Sequence, residues 1–431
     1  MELYHAFAIL IVLSAAYGYI NHKYLRLPVT IGIMIIALVS SLLIVAIGSI
    51  DPSFKKDAIN ALQKVDFSQI LLNVMLSFLL FAGAININFG SLRKERYPVI
   101  VFATIGVMIS TLIVGTLIYY FMIAIGQPLE YIYCLLFGAL ISPTDPIAVL
   151  GILKEAGIPK SLEIKITGES LFNDGVAVVL FTSIYQVAKI GIENLEALDV
   201  IVLFIREAFG GVVLGLLIGY AGYILLKSID NYKVEVMITI AIVTGGYSLA
   251  ELLQVSGPLA MVAAGIITGN AGRKYAMSDT TQNYIDKFWE MIDEILNALL
   301  FILIGFEILV IEINSYLLTG LFAITAVFIA RFISVGIPIT LLRFKSGFVK
   351  HSIWILTWGG LRGGISVALA LSLPNGMHKS FIVSITYIIV LFSIIVQGLT
   401  IGRLVKKLKL KAEIPQDKKE VLEESYKGEN I

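Results

Sequence analysis

Gly138-Ala-Leu-Ile-Ser142-Pro143-Thr144-Asp145-Pro146-Ile-Ala-Val149 is an apolar run with two prolines and one carboxylate at its centre. Each proline lacks an N–H, and its ring clashes with the carbonyl four residues back, so Ala139 and Ser142 lose their helical partners. Two such residues three apart predict a helix that unwinds midway, with Thr144 and Asp145 in the break. Freed carbonyls beside a carboxylate suit a hard cation, which takes oxygen ligands. Asp145 is equally placed to cap the half-helix that follows, and the two roles are compatible.

The surroundings decide what medium this break sits in. The chain has 431 residues, 58% of them hydrophobic and 15% charged, with a mean hydropathy of +0.90. Soluble domains are nearer half apolar and a quarter charged. A hydrocarbon core about 30 Å thick needs roughly 20 apolar residues per helix. Apolar runs read against turn and charge signals predict thirteen spans, at 3–21, 28–49, 67–87, 98–125, 130–152, 164–188, 200–226, 234–254, 257–271, 289–311, 315–342, 350–373 and 380–402. The first follows Met-Glu-Leu-Tyr-His without a basic segment, so it reads as a retained helix. The expected class is therefore an all-α polytopic membrane protein, with a transmembrane domain over 1–402 and a short charged cytoplasmic tail over 403–431. Cys134 is a single cysteine, which excludes an intrachain disulfide and a cysteine-based metal cluster. A net charge of +1 gives no reason to expect a nucleic-acid partner.

Lysine and arginine set the orientation. Loops after odd-numbered spans hold sixteen of them before the tail adds eight, and loops after even-numbered spans hold five. This bias places the N-terminus outside and the C-terminus in the cytoplasm. With Lys165 and Lys350, at the edges of spans six and twelve, counted with the adjoining loops, three cations remain inside spans: Arg206, Arg331 and Arg362.

An ionisable residue inside a span is costly and by default functional. Span six reads Thr167-Gly-Glu169-Ser170-Leu-Phe-Asn173-Asp174-Gly175. At about 100° per residue, Ser170, Asn173 and Asp174 share one face, with Glu169 about 140° round from Asp174. Asp174 can then meet Asp145, while Glu169 faces another helix. Arg331 is the only charge in 322–342, and a buried guanidinium needs a carboxylate, so Glu169 and Arg331 are expected to form a structural ion pair. Asp174 is left without a cation of its own. A carboxylate in that position must take up either a proton or a metal ion, and competition between those occupants is the physical core of an exchanger.

Span twelve carries Trp358-Gly359-Gly360-Leu-Arg362-Gly363-Gly364. Its glycines weaken the helix and let other backbones approach. The Gly-Lys-Ser/Thr ending of a phosphate loop is absent. Arg362 either offsets negative charge near the site or sits at the mouth of the helix. Spans five and twelve are thus both broken and lie seven apart. An odd offset reverses direction across the membrane, so spans 1–6 and 8–13 are expected to form an inverted repeat with two broken helices crossing. Glu307, with Asp293 and Glu294 before it, either lines an access funnel or is solvated near a span end. His5, His22, His351 and His378 all lie near span ends, which argues against a histidine proton relay.

Four motifs in order, Ser142-Pro-Thr-Asp145-Pro, Gly168-Glu-Ser-Leu-Phe-Asn173-Asp174-Gly, Phe301-Ile-Leu-Ile-Gly305 and Gly359-Gly-Leu-Arg362-Gly-Gly, resemble the NhaP/NHE branch of monovalent cation/proton antiporters. The resemblance covers the chain except its tail. It implies a mobile core of spans 4–6 and 11–13 working against a dimerising panel. It implies cation binding by Asp145 and Asp174, with Ser170 and the Thr144 backbone contributing, Asn173 holding the site together and Glu169 paired to Arg331. It further implies a homodimer in a microbial plasma membrane, with no cofactor, exchanging one Na+ or Li+ for one proton in pH and sodium homeostasis. K+/H+ exchange and a proton-coupled organic-anion symporter are the competing readings. An intramembrane aspartyl hydrolase would need two carboxylates sharing a water, which the proline-flanked Asp145 does not suggest.

Overall fold

The computed structural model describes residues 2–53, 56, 59, 67–191, 197–311, 313–342 and 347–408, and no strand occurs among them. Their principal helices overlap the predicted apolar runs, the tenth beginning at Asp279 and not at 289. They are α1 (Glu2–Ile20), α2 (Val29–Gly48), α3 (Ile70–Ile85), α4 (Arg96–Ala124), α5a (Tyr131–Ile141), α5b (Ile147–Glu155), α6 (Lys160–Ile190) and α7 (Ala197–Lys227). There follow α8 (Tyr232–Leu252), α9 (Gly257–Ile267), α10 (Asp279–Glu307), α11 (Ile313–Leu342), α12a (Ser352–Trp358), α12b (Gly364–Leu371) and α13 (Lys379–Lys407). Seven helices, namely α2, α4, α6, α7, α8, α11 and α13, are long and apolar enough to cross a membrane unaided. The chain is a multi-pass membrane protein, helical throughout the secondary structure of its described residues. Residue 403, where the tail was expected to begin, lies inside α13, and residues 409–431 fall outside the described set.

Two helices are split. α5 is interrupted at 142–146 and α12 at 359–363, a break of five residues in each. The first break follows from Pro143 and Pro146, and the second from the glycines around Arg362.

Packing sorts the helices into two groups. α4, α5a and α6 pack in sequence, α4 packs on α11, and α11 packs on α12a and α13. The other group joins α7, α8 and α9, sets α9 against α3, and stacks α10 on α1, α2 and α3. Close approaches at glycine hold both together. A Cβ on Gly138 of α5a would collide with the Thr111 carbonyl of α4. Gly305, the end of the Phe301–Gly305 motif, has the same role in the second group. A Cβ there would lie 2.5 Å from that of Ala37 in α2, and its carbonyl accepts from Ser41 Oγ at 2.9 Å. That motif is a helix-crossing device. Contacts between the groups include α6 against α7 and α9, α12b against α3 and α10, and α5b against α2.

Candidate functional site

The two breaks meet. The Asp145 N–H donates to the Leu361 carbonyl at 2.9 Å, joining one broken backbone to the other. Arg362 Nη1 donates to the carbonyls of Ser142 at 2.6 Å and Pro143 at 2.8 Å. The Ser142 carbonyl released by Pro146 is therefore held by a guanidinium and is not open to a cation. Arg362 is 1% exposed, so it lies inside the bundle and not at a helix mouth. α13 satisfies the second break: Ser393 Oγ accepts from the Arg362 N–H at 2.9 Å, and Gln397 Nε2 donates to the Trp358 carbonyl at 2.9 Å.

Glycine makes this crossing sterically possible. A Cβ on Gly363 would fall 2.5 Å from Asp145 Oδ2, and one on Gly360 would fall 2.7 Å from Arg331 Nε. Asp145 Oδ1 accepts from the Ile147 N–H, the first of α5b, at 2.9 Å, which holds the carboxylate at the positive end of that half-helix. No hydrogen bond among the described residues occupies the Thr144 carbonyl beside it.

α6 supplies the facing side chains. Asn173 Nδ2 donates to Thr144 Oγ1 at 3.0 Å, tying α6 to the break in α5. Ser170 and Asp174 line a cavity of about 480 Å³ together with Asp145. The Asp174 carboxylate, 8% exposed, meets no cation and accepts no hydrogen bond among the described residues. It lies within electrostatic reach of Asp145. Glu169 points the other way, and its Oε1 meets Arg331 Nη1 at 2.5 Å. Arg331 Nε also donates to the Leu356 carbonyl of α12a at 3.2 Å. That pair therefore ties α6, α11 and α12 together.

The cavity runs from the aspartates to Asn88, Ser91, Lys154, Lys160 and Glu163, so it opens on the face of the loops after α3 and α5b. Lys154 and Lys160 both pair with Glu163, at 3.3 and 2.9 Å. From α10 the cavity takes Asp293 and Asn297, whereas Glu294 and Glu307 are not among its lining residues. Sequence reasoning grouped Asp293, Glu294 and Glu307 and did not single out Asn297; its spacing of four from Asp293 was the available signal. Lys165, which was counted as a loop cation, is 1% exposed. It pairs with Glu95 at 2.9 Å and donates to the Gly347 carbonyl at 3.2 Å.

Two broken helices cross beside carboxylates that line a cavity, the arrangement by which secondary transporters expose backbone to an ion. A profile described as "Sodium/hydrogen exchanger, transmembrane" matches residues 9–407, and the chain belongs to that family. It is 49% identical to the Na(+)/H(+) antiporter NhaP of Pseudomonas aeruginosa, over 93% of this chain and 96% of that protein. It is 36% identical to the Na(+)/H(+) antiporter NhaH of Halobacillus dabanensis, over 79% and 84% respectively. The sodium proton antiporter MjNhaP1 of Methanocaldococcus jannaschii shares the fold, with a TM-score of 0.73 at 22% identity, over 95% of this chain and 99% of that one.

Breaking a buried pair by removing one partner costs roughly 3–5 kcal/mol, because the other charge stays buried. Glu169→Ala and Arg331→Ala should each lower the unfolding temperature in detergent, and the double variant should lose less than the two combined. Strictly additive losses would show that the two residues are not coupled in the folded protein.

Proposed function

We propose that this chain is a sodium/proton antiporter that exchanges one Na+ or Li+ for one proton at Asp145 and Asp174 by alternating access. The observation that carries the reading is a charge imbalance. Apart from Lys165, which Glu95 balances at 2.9 Å, the six-helix group of α4–α6 and α11–α13 holds three carboxylates at and beside the crossing, Asp145, Glu169 and Asp174, against two guanidinium groups, Arg331 and Arg362. A group of helices with one uncompensated negative charge in a low-dielectric setting is neutralised by one monovalent cation or one proton. Ser170 Oγ and the Thr144 carbonyl are the neutral oxygens next to the two aspartates that suit such an ion. Asn173 braces the site through Thr144.

In this reading the six-helix group carries the site, and the other helices form the panel through which a homodimer assembles. The thirteen helical stretches cross the cell membrane with the N-terminus outside and the C-terminus in the cytoplasm, so the cavity opens on the cytoplasmic side. The names of the relatives favour Na+ over K+. A proton-coupled organic-anion symporter is disfavoured because the groups around the crossing that remain free to bind are carboxylates.

Asp174→Asn keeps the shape and removes the titratable charge. Everted vesicles bearing it should show no release of a proton gradient on adding Na+ or Li+, although the protein inserts, and Asp145→Asn should be nearly as severe. Appreciable exchange by Asp174→Asn protein would remove the basis of this site.

Because cation and proton share one site, the apparent KM for Na+ should rise as pH falls. The rate should be bell-shaped in pH, limited by proton occupancy on the acid side and by lack of protons on the alkaline side. A KM that stayed constant over several pH units would indicate separate sites.

Asn173 is neutral in every state and Glu169 is held by Arg331, so one charge alternates at the site and a full cycle moves none across the membrane. In proteoliposomes with the potential clamped by K+ and valinomycin, the rate of Na+/H+ exchange should not follow the potential. Dependence on potential would show that a second charge moves.

A further inference from the structure

We infer that Asp293 and Asn297, one turn apart on α10, form a second station for a monovalent cation on the cavity wall opposite Asp145 and Asp174. Both line the same cavity as the two aspartates. Asn297 is 2% exposed, and its Nδ2 donates to the Asp293 carbonyl at 2.9 Å. A carbonyl can only accept, so the amide nitrogen must be the atom that faces it. Asn297 Oδ1 is thereby turned away from the helix, and it is buried without a hydrogen-bond partner among the described residues. A buried amide oxygen in that state takes either a donor or a cation, and with the Asp293 carboxylate lining the same cavity a hard cation suits both oxygens.

Asp293 supplies the charge. No lysine or arginine pairs with it among the described residues, because the cavity's two lysines, Lys154 and Lys160, are both engaged by Glu163. It lines the same cavity as Asp145 and lies within electrostatic reach of it, so a cation between the two walls is attracted by both carboxylates when they are ionised. One carboxylate and one amide oxygen, with water completing the shell, match a partly hydrated Na+ or Li+.

The location gives the station a function that Asp145 and Asp174 do not have. α10 packs with α1, α2 and α3, outside the group that carries the two aspartates. The inference rests on the antiport reading: if the six-helix group moves, Asp293 and Asn297 stay on the cavity side and meet the cation only when the site faces that way. They should therefore set affinity at one face of the membrane only.

The test is the KM for Na+ at each face, in everted vesicles where the added ion meets the cavity side and in right-side-out vesicles where it meets the other. Asp293→Asn and Asn297→Leu should each raise the cavity-side KM severalfold more than the KM at the opposite face, with a smaller fall in maximal rate. Asp293→Glu, which keeps the charge, should recover most of the lost affinity. If one variant is not recovered as folded protein, the other decides. An unchanged cavity-side KM, or an equal rise at both faces, would overturn the station while wild-type exchange in the same vesicles left the antiport reading standing. Absence of cation-dependent exchange by the wild type would remove that reading as well.

Discussion

Everything in the site depends on Arg362 holding the carbonyls of Ser142 and Pro143. In a bilayer each unsatisfied backbone polar group costs several kcal/mol, so a broken helix survives only where protein groups take up what the break releases. α5 loses helical partners because of its two prolines and α12 because of its glycines. Each break then serves the other: the guanidinium of α12 covers the end of α5a, and the Asp145 N–H reaches the Leu361 carbonyl. α13 completes the set through Ser393 and Gln397. The cation Arg362 lies at the negative end of α5a and the anion Asp145 at the positive start of α5b, so the half-helix dipoles favour both placements.

This arrangement separates two kinds of buried charge. Glu169 and Arg331 satisfy one another and link α6 to α11, with a further bond to α12a. Asp174 sits on the same helix only five residues away, yet it faces the cavity and has no such partner among the described residues. Helical pitch alone produces the division, because five residues carry the side chain to a different face. A helix with these two acids four residues apart would turn both to nearly the same side.

Local chemistry was legible in the sequence, and pairing at a distance was less so. The break at 142–146 follows from the missing proline donors, and the face that joins Ser170 to Asp174 follows from pitch. Arg331 could be assigned to Glu169 because no other charge lay in its span. Arg362 had several possible partners, and nothing in residues 358–366 says that the Ser142 carbonyl, 220 residues away in sequence, would be its acceptor. Lys165 resembled a loop lysine because its shelter comes from Glu95 and Gly347, which are contributed by other loops. Glu307 and Asp293 looked equivalent by charge. They differ in depth along α10, 14 residues apart, which at about 1.5 Å per residue is roughly two-thirds of the hydrocarbon core.

The same charge balance explains why exchange, in the proposed cycle, should be coupled and not leak. With both aspartates ionised and no ion bound, the six-helix group carries one negative charge more than Arg331 and Arg362 can offset. Moving that uncompensated charge through the apolar contacts between the two helix groups is costly, so the empty group is held at the cavity face where water reaches it. Binding either Na+ or a proton removes the excess and lowers the barrier equally in both directions. A second neutralising group on α6, for example a lysine in place of Asn173, would balance the empty group and remove the penalty that enforces coupling. Asn173 instead gives the site a hydrogen bond to Thr144 without contributing charge, so the break in α5 is braced while the requirement for one bound ion is left intact.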